Sequence, residues 1–104
     1  MRYSKARWHR AVVSGPSMLP VLADGDSVLV RRRGQVAEGD VVVARFRELP
    51  DRLVVKRAVA RADGGWQLES ENPAVEGHGV TRGVGDVEGV VVWRYRPWPP
   101  RRVE

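Results

Sequence analysis

Cysteine is absent from this chain of 104 residues, so neither a disulfide nor a thiolate metal site holds it together. Histidine is scarce: His9 and His78 are too few for a convincing zinc site, and no metal or other cofactor is expected. A long hydrophobic run is also missing. The longest, Val41-Val42-Val43-Ala44, falls far short of the roughly 20 apolar residues that a membrane helix needs, and no membrane insertion is expected. The basic N-terminus, Met1 to Trp8, has no apolar stretch behind it and reads as neither a signal peptide nor an anchor. These absences point to a cytoplasmic protein with one domain and one modest core.

Positive charge is in surplus. Eighteen basic residues against 13 acidic ones leave a net charge of +5, with arginine far ahead of lysine. Such a surplus suits nucleic acid or an acidic surface, but it is more readily the mark of a proteome rich in arginine, valine and glycine. The densest cluster, Arg31-Arg32-Arg33, ends a strand-like run and reads as a solvated strand end.

Strand signals dominate the pattern. Val28-Leu29-Val30, Val41 to Arg45, Leu53 to Ala60, Trp66-Gln67-Leu68 and Val90 to Tyr95 are short β-branched or alternating runs. Turn chemistry separates them at Asp24-Gly25-Asp26, Glu38-Gly39-Asp40, Pro50-Asp51, Asp63-Gly64-Gly65 and Glu88-Gly89. Asp63-Gly64 is a hairpin candidate, and only Pro20 to Ala23 offers a helical turn. The two Gly-Asp dipeptides, at 25–26 and 39–40, read as turns that each need glycine rather than as a repeat. The Gly-rich stretch Glu71 to Asp86 reads as a surface loop, and the residues beyond Pro97 as a loosely held tail. The expectation is a single all-β domain of short, coiled antiparallel strands forming a partly open barrel, with a basic arm over residues 1–12, a β domain over 13–97 and a tail over 98–104.

Two residues carry chemistry together that neither carries alone. Ser17 lies in Gly15-Pro16-Ser17-Met18-Leu19-Pro20, where two prolines restrict the loop and Gly15 permits close approach by a substrate strand. A serine hydroxyl needs a base, and no Ser-His-Asp set is available, since neither His9 nor His78 has an evident orienting carboxylate. Lysine serves if burial keeps its amine neutral. Strand alternation puts Lys56 on one face with Val54, Ala58 and Ala60, opposite Leu53, Val55, Arg57 and Val59. Alone, Lys56 reads as a side chain snorkelling to solvent and Ser17 as a turn residue or helix N-cap. The Ser17 N–H is available to a developing oxyanion, whereas Pro16 has none to give.

At these residues the chain resembles the signal-peptidase-like superfamily of serine–lysine proteases. The resemblance runs from Val13 to Arg57 through Gly15 to Pro20, then Gly25-Asp26-Ser27-Val28-Leu29-Val30, Gly39-Asp40-Val41-Val42 and Val55-Lys56-Arg57-Ala58. Weaker echoes follow in Glu71-Asn72-Pro73 and in Val90 to Tyr95. The resemblance implies a small coiled β fold, Ser17 as nucleophile, Lys56 as general base, and Met18 lining the substrate cleft beside the nucleophile. Within the superfamily the chain is most similar to the proteases that mature nickel-type superoxide dismutase by removing an N-terminal extension. Two departures stand out. The loop Gly77 to Arg82 lacks the family's Asp-Ser-Arg segment, leaving open what Thr81 or Arg82 does, and Gly15 replaces a serine that assists the oxyanion in some members.

The leading expectation is therefore a soluble endopeptidase making one cut in a protein or peptide substrate that adds alongside an exposed strand. Self-cleavage, as in the related SOS repressors with their DNA-binding helical domain, is disfavoured by the short stretch ahead of the motif. The alternative from another class is a non-catalytic basic β-barrel module binding nucleic acid. It draws on Arg31 to Arg33 and on Trp8, Trp66, Trp93 and Trp98. These aromatics are scattered rather than interleaved with basic residues in one strand, so nucleic acid is the less favoured partner.

Overall fold

The computed structural model describes residues 7–32, 34–75 and 82–104, and the chain over these residues is all-β. Seven strands follow in order: β1 (Trp8–Val12), β2 (Ser27–Arg31), β3 (Val41–Phe46), β4 (Val54–Ala62), β5 (Gly65–Glu69), β6 (Arg82–Arg96) and β7 (Arg101–Arg102). All pair antiparallel, in the order β1-β2-β6-β3-β4-β5, with β7 added to β6. A further pairing of β5 with the start of β6 closes β3, β4, β5 and β6 into a ring. The architecture is thus a small barrel with β1 and β2 extending from it.

Two apolar clusters fill this arrangement, and β3 is the wall between them. Val41 and Val43 pack with Val13, Met18, Leu22, Val28, Val30 and Val91. Val42, Ala44 and Phe46 face the other way, toward Ala58, Trp66 and Leu68 inside the ring. A strand covered on both faces shows continuous rather than alternating hydrophobicity, as Val41-Val42-Val43-Ala44 does. β2 and β5, covered on one face only, alternate.

The turns behave as their residues require. β4 and β5 are joined by Asp63 and Gly64, both at positive φ (50° and 78°), the geometry of the expected tight hairpin. The two Gly-Asp turns prove chemically identical. In Ala23 to Asp26 and again in Ala37 to Asp40, the aspartate N–H donates to the alanine carbonyl. Its side chain in turn accepts from the alanine N–H, at 2.8 and 2.9 Å respectively. Gly25 and Gly39 take the positive φ that the third place of such a turn demands.

Several expectations are corrected. The stretch Glu71 to Asp86 is not one loop, because β6 already begins at Arg82. Gly85 is there for packing: a Cβ on it would lie 2.5 Å from the Arg45 carbonyl oxygen and from Leu68, where β6 crosses β3. The tail is not loose, since β7 pairs with Trp93 and Arg94, and Val103 is buried in the core. Trp8–Val12, placed in the N-terminal arm, forms an edge strand on β2. Pro20 to Ala23 gives a turn without a helix; the one short 3₁₀ segment among the described residues is Pro73–Val75. His78 and Thr81, with the rest of 76–81, lie outside the described residues. Among the described residues no helix is long and apolar enough to cross a membrane.

Candidate active site

Ser17 sits on the loop that leaves β1 and returns to β2. The loop is fastened at its base by Val13 N–H to the Asp26 carbonyl and Gly25 N–H to the Val13 carbonyl, both 2.8 Å. Asp24 takes the Gly15 N–H at 2.7 Å, so Gly15, at φ +85°, is held by a side chain and is not an oxyanion donor. Space beside Gly15 is open: an added Cβ there would meet nothing within 4 Å. Two further bonds, Leu19 N–H to Pro16 O and Leu22 N–H to Met18 O, curl the loop after the serine. Among the described residues the N–H of Ser17 is not used in any such bond.

Met18, expected beside the nucleophile, is buried. It is 1% exposed and belongs to the core with Leu22 and Val28, so it anchors the loop from below. Ser17, the residue before it, is only half-buried.

Lys56 lies inside β4 and is only 6% exposed. It and Ala58 face inward as the alternation predicted, but Ala60 does not, because a bulge between Ala58 and Ala60 shifts the β4–β5 register by one residue. Burial, reinforced by the nearby positive charge of Arg52, pushes the Lys56 amine below the ordinary lysine value. Its Nζ donates to Ser70 Oγ at 3.0 Å, and no hydrogen bond joins it to Ser17.

Ser70 was not found from the sequence, and it opens the segment that joins the two sides of the site. The backbone N–H groups of Glu71 and Asn72 both donate to the Ser17 carbonyl at 2.9 Å, and Asn72 Nδ2 donates to the Pro16 carbonyl at 3.0 Å. Glu71 is also clamped by Arg57, whose two nitrogens reach its two carboxylate oxygens at 3.1 and 3.3 Å. Arg57 in turn donates to the Gly39 carbonyl at 2.7 Å. Residues 70–72 thus form a strap from Lys56 and Arg57 on β4 to the Ser17 loop. Glu71-Asn72-Pro73, a faint echo in the sequence, is a main mechanical element of the site.

The strap links a half-buried serine on a braced loop, with an unused N–H of its own, to a buried amine with a depressed proton affinity. No group of three or more histidine, aspartate or glutamate side chains suited to a metal ion occurs among the described residues. The chemistry available is acid–base and nucleophilic.

Comparison with known proteins agrees in kind. Residues 6–92 match the family model described as Peptidase S24-like. The LexA repressor of Burkholderia thailandensis is 37% identical over 78 residues, covering 73% of this chain and 34% of the repressor. LexA repressors of Burkholderia mallei and Burkholderia pseudomallei match to the same extent. The chain thus spans 34% of the length of the curated relatives it matches.

Proposed function

Since the chain belongs to the Peptidase S24-like family, we propose that it is a serine endopeptidase with Ser17 as nucleophile and Lys56 as general base. The observation that carries this reading is the buried, hydrogen-bonded Lys56 amine strapped through residues 70–72 to the serine loop. In acylation the neutral amine takes the Ser17 proton as Oγ attacks the scissile carbonyl carbon. The oxyanion that forms is met by the Ser17 N–H. The ammonium then gives its proton to the departing amine, the C–N bond breaks, and an acyl-serine remains. Water, deprotonated by the same amine, attacks the ester and frees Ser17. Ser70 is a positioning residue that orients Nζ, and the Ser17–Lys56 bond forms when substrate closes the site, since such contacts are often loose without ligand.

The substrate enters as an extended strand. β5 pairs with β4 only from Arg57 onward, leaving the edge of Val54 to Lys56 opposite β3 unpaired among the described residues. The outer edge of β1, which runs into the Ser17 loop, is unpaired as well. Main-chain pairing along such edges presents a carbonyl to Ser17. The finer reading is a cytoplasmic maturation protease that removes an N-terminal extension from a precursor, that of nickel-type superoxide dismutase. It rests on the resemblance of Gly15 to Met18, Val54 to Ala58 and Trp93 to Pro97.

A second reading is favoured by the relatives' name: a regulatory domain, within a longer repressor chain, that cleaves that chain. One experiment addresses both. The protein is incubated with candidate precursors beside Ser17→Ala and Lys56→Ala variants, over a range of concentration. Cleavage lost in both variants and accelerating with enzyme concentration supports the endopeptidase; concentration-independent scission of its own chain supports the second reading. Cleavage that persists in both variants refutes the Ser17–Lys56 assignment.

A further inference from the structure

The sheet face turned away from the Met18 core is formed by β1, β2, the second half of β6 and β7. Residues paired across antiparallel strands share a face. Trp8 pairs with Arg31 and Arg10 with Leu29. Leu29 pairs in turn with Trp93, and Trp93 with Arg102. The Arg10 guanidinium also lies 6.0 Å from the Tyr95 ring centre, which brings Tyr95 to the same face. Folding therefore interleaves aromatic and basic side chains that the sequence scatters. Trp8 and Trp93 are 43% and 41% exposed, and Val12, at the end of β1, is 68% exposed. β1, β2, residues 90–96 and β7 contain no aspartate or glutamate.

We propose that this face docks an acidic region of the protein substrate, remote from the bond that is cut. The proposal rests on the endopeptidase reading. Tryptophan, tyrosine and arginine are the residues that concentrate binding energy at protein contacts. Guanidinium groups take carboxylates in a fork geometry that a lysine surface lacks. A second copy of this chain fits poorly, because a two-fold contact sets the same patch, basic and without a carboxylate, against itself. Single-stranded nucleic acid needs open ring faces in succession, whereas Tyr95 carries Arg10 near its ring and the aliphatic Val12 and Leu29 interrupt the series. From strand spacing the patch measures roughly 20 by 17 Å. That is less than the ~800 Å² per side of a stable complex and suits a partner that must leave after each turnover. β1 runs from this face straight into the Ser17 loop, so an anchored partner offers its flexible extension to the site.

The test separates docking from cleavage. Binding of a short fluorescein-labelled peptide of glutamate, leucine and phenylalanine to the Ser17→Ala protein is followed by fluorescence anisotropy. A lysine-for-glutamate counterpart and an oligothymidylate of the same length serve as the other arms. The acidic peptide is expected to bind best, and Trp93→Ala and Arg102→Glu each to weaken it about tenfold or more. Leu49→Ala, in the turn after β3, leaves it unchanged, with melting curves confirming that each variant folds. No binding of the acidic peptide, equal binding of its lysine counterpart, or tighter binding of the oligothymidylate overturns the proposal. So does a dimer in sedimentation that Arg102→Glu dissolves. If docking fails while Ser17-dependent cleavage persists, the enzyme reading stands without this face; docking without cleavage reverses that outcome.

Discussion

Replacing Lys56 with methionine separates what the buried amine costs from what it does. Lys56 is 6% exposed, and burial and Arg52 depress its proton affinity. Between that depressed value and the ordinary one of about 10.4, the unfolded chain carries a proton that the folded chain lacks. Stability therefore rises with pH across this window, by up to about 1.4 kcal/mol per pH unit from this one group. Below the window the folded state carries the whole cost of a charge held inside. Methionine keeps the length of the side chain and removes the charge, so it removes the slope as well. The hydrogen bond from Lys56 to Ser70 Oγ is lost in exchange, an offset of about 1 kcal/mol.

The measurement is urea unfolding of both proteins from about pH 6 to about pH 10. The difference in stability, wild type minus Lys56→Met, is expected to climb with pH. A change of about 1.4 kcal/mol moves the midpoint by roughly half a molar or more. At neutral pH the variant is at least as stable as the wild type, because a buried charge gives way to an apolar group of similar shape. Cleavage by the variant is abolished, so activity and stability move in opposite directions. Stability curves that run parallel over the whole range refute the reading of Lys56 as a destabilised interior amine.

Three other outcomes follow from the same geometry. The pH profile of kcat/KM rises toward alkaline pH with a midpoint below the ordinary lysine value, as a base that must be neutral requires; a profile flat through that region excludes Lys56 as the base. Ser70→Ala lowers kcat about ten- to a hundredfold with little change in KM, and Ser70→Thr restores most of the loss; an equal loss in both variants assigns Ser70 a purely steric role. Gly85→Ala places a Cβ 2.5 Å from the Arg45 carbonyl oxygen and costs about 1–3 kcal/mol, read as a drop in melting temperature of roughly 4–8 °C per kcal/mol.

What the sequence disclosed was whatever depends on local pattern. β2, β3 and β5 follow from β-branched and alternating runs, the hairpin from Asp63-Gly64, and the paired turns from Gly-Asp. The first half of β6 escaped because Gly83 and Gly85 read as loop chemistry. At Gly85 the glycine reflects a close crossing with β3 that only the closed ring creates. β7 escaped for a similar reason, since two arginines make a strand only where Trp93 and Arg94 are waiting to pair. The sharing of one face by Trp8 and Trp93 depends in the same way on strand order, which a single sequence does not encode visibly.

The site divides along the same line. The burial of Lys56 was legible in the apolar residues at alternate positions around it; its partner was not. From the hairpin turn alone, pairing without interruption sets Ala62 against Gly65 and, counting back, Lys56 against Glu71. The bulge after Ala58 shifts the remaining pairs by one residue, so that Arg57 meets Glu69 and the next step brings Ser70 to Lys56. A hydroxyl therefore stands where a carboxylate would otherwise lie, and the difference is chemical as well as geometric. A carboxylate there would hold the amine charged, whereas a hydroxyl accepts its hydrogen bond without neutralising burial. Glu71 is displaced onto Arg57, where its charge is matched and its backbone is free to grip the Ser17 loop. One inserted residue in a strand thus sets both the surroundings of the Lys56 amine and its attachment to the Ser17 loop.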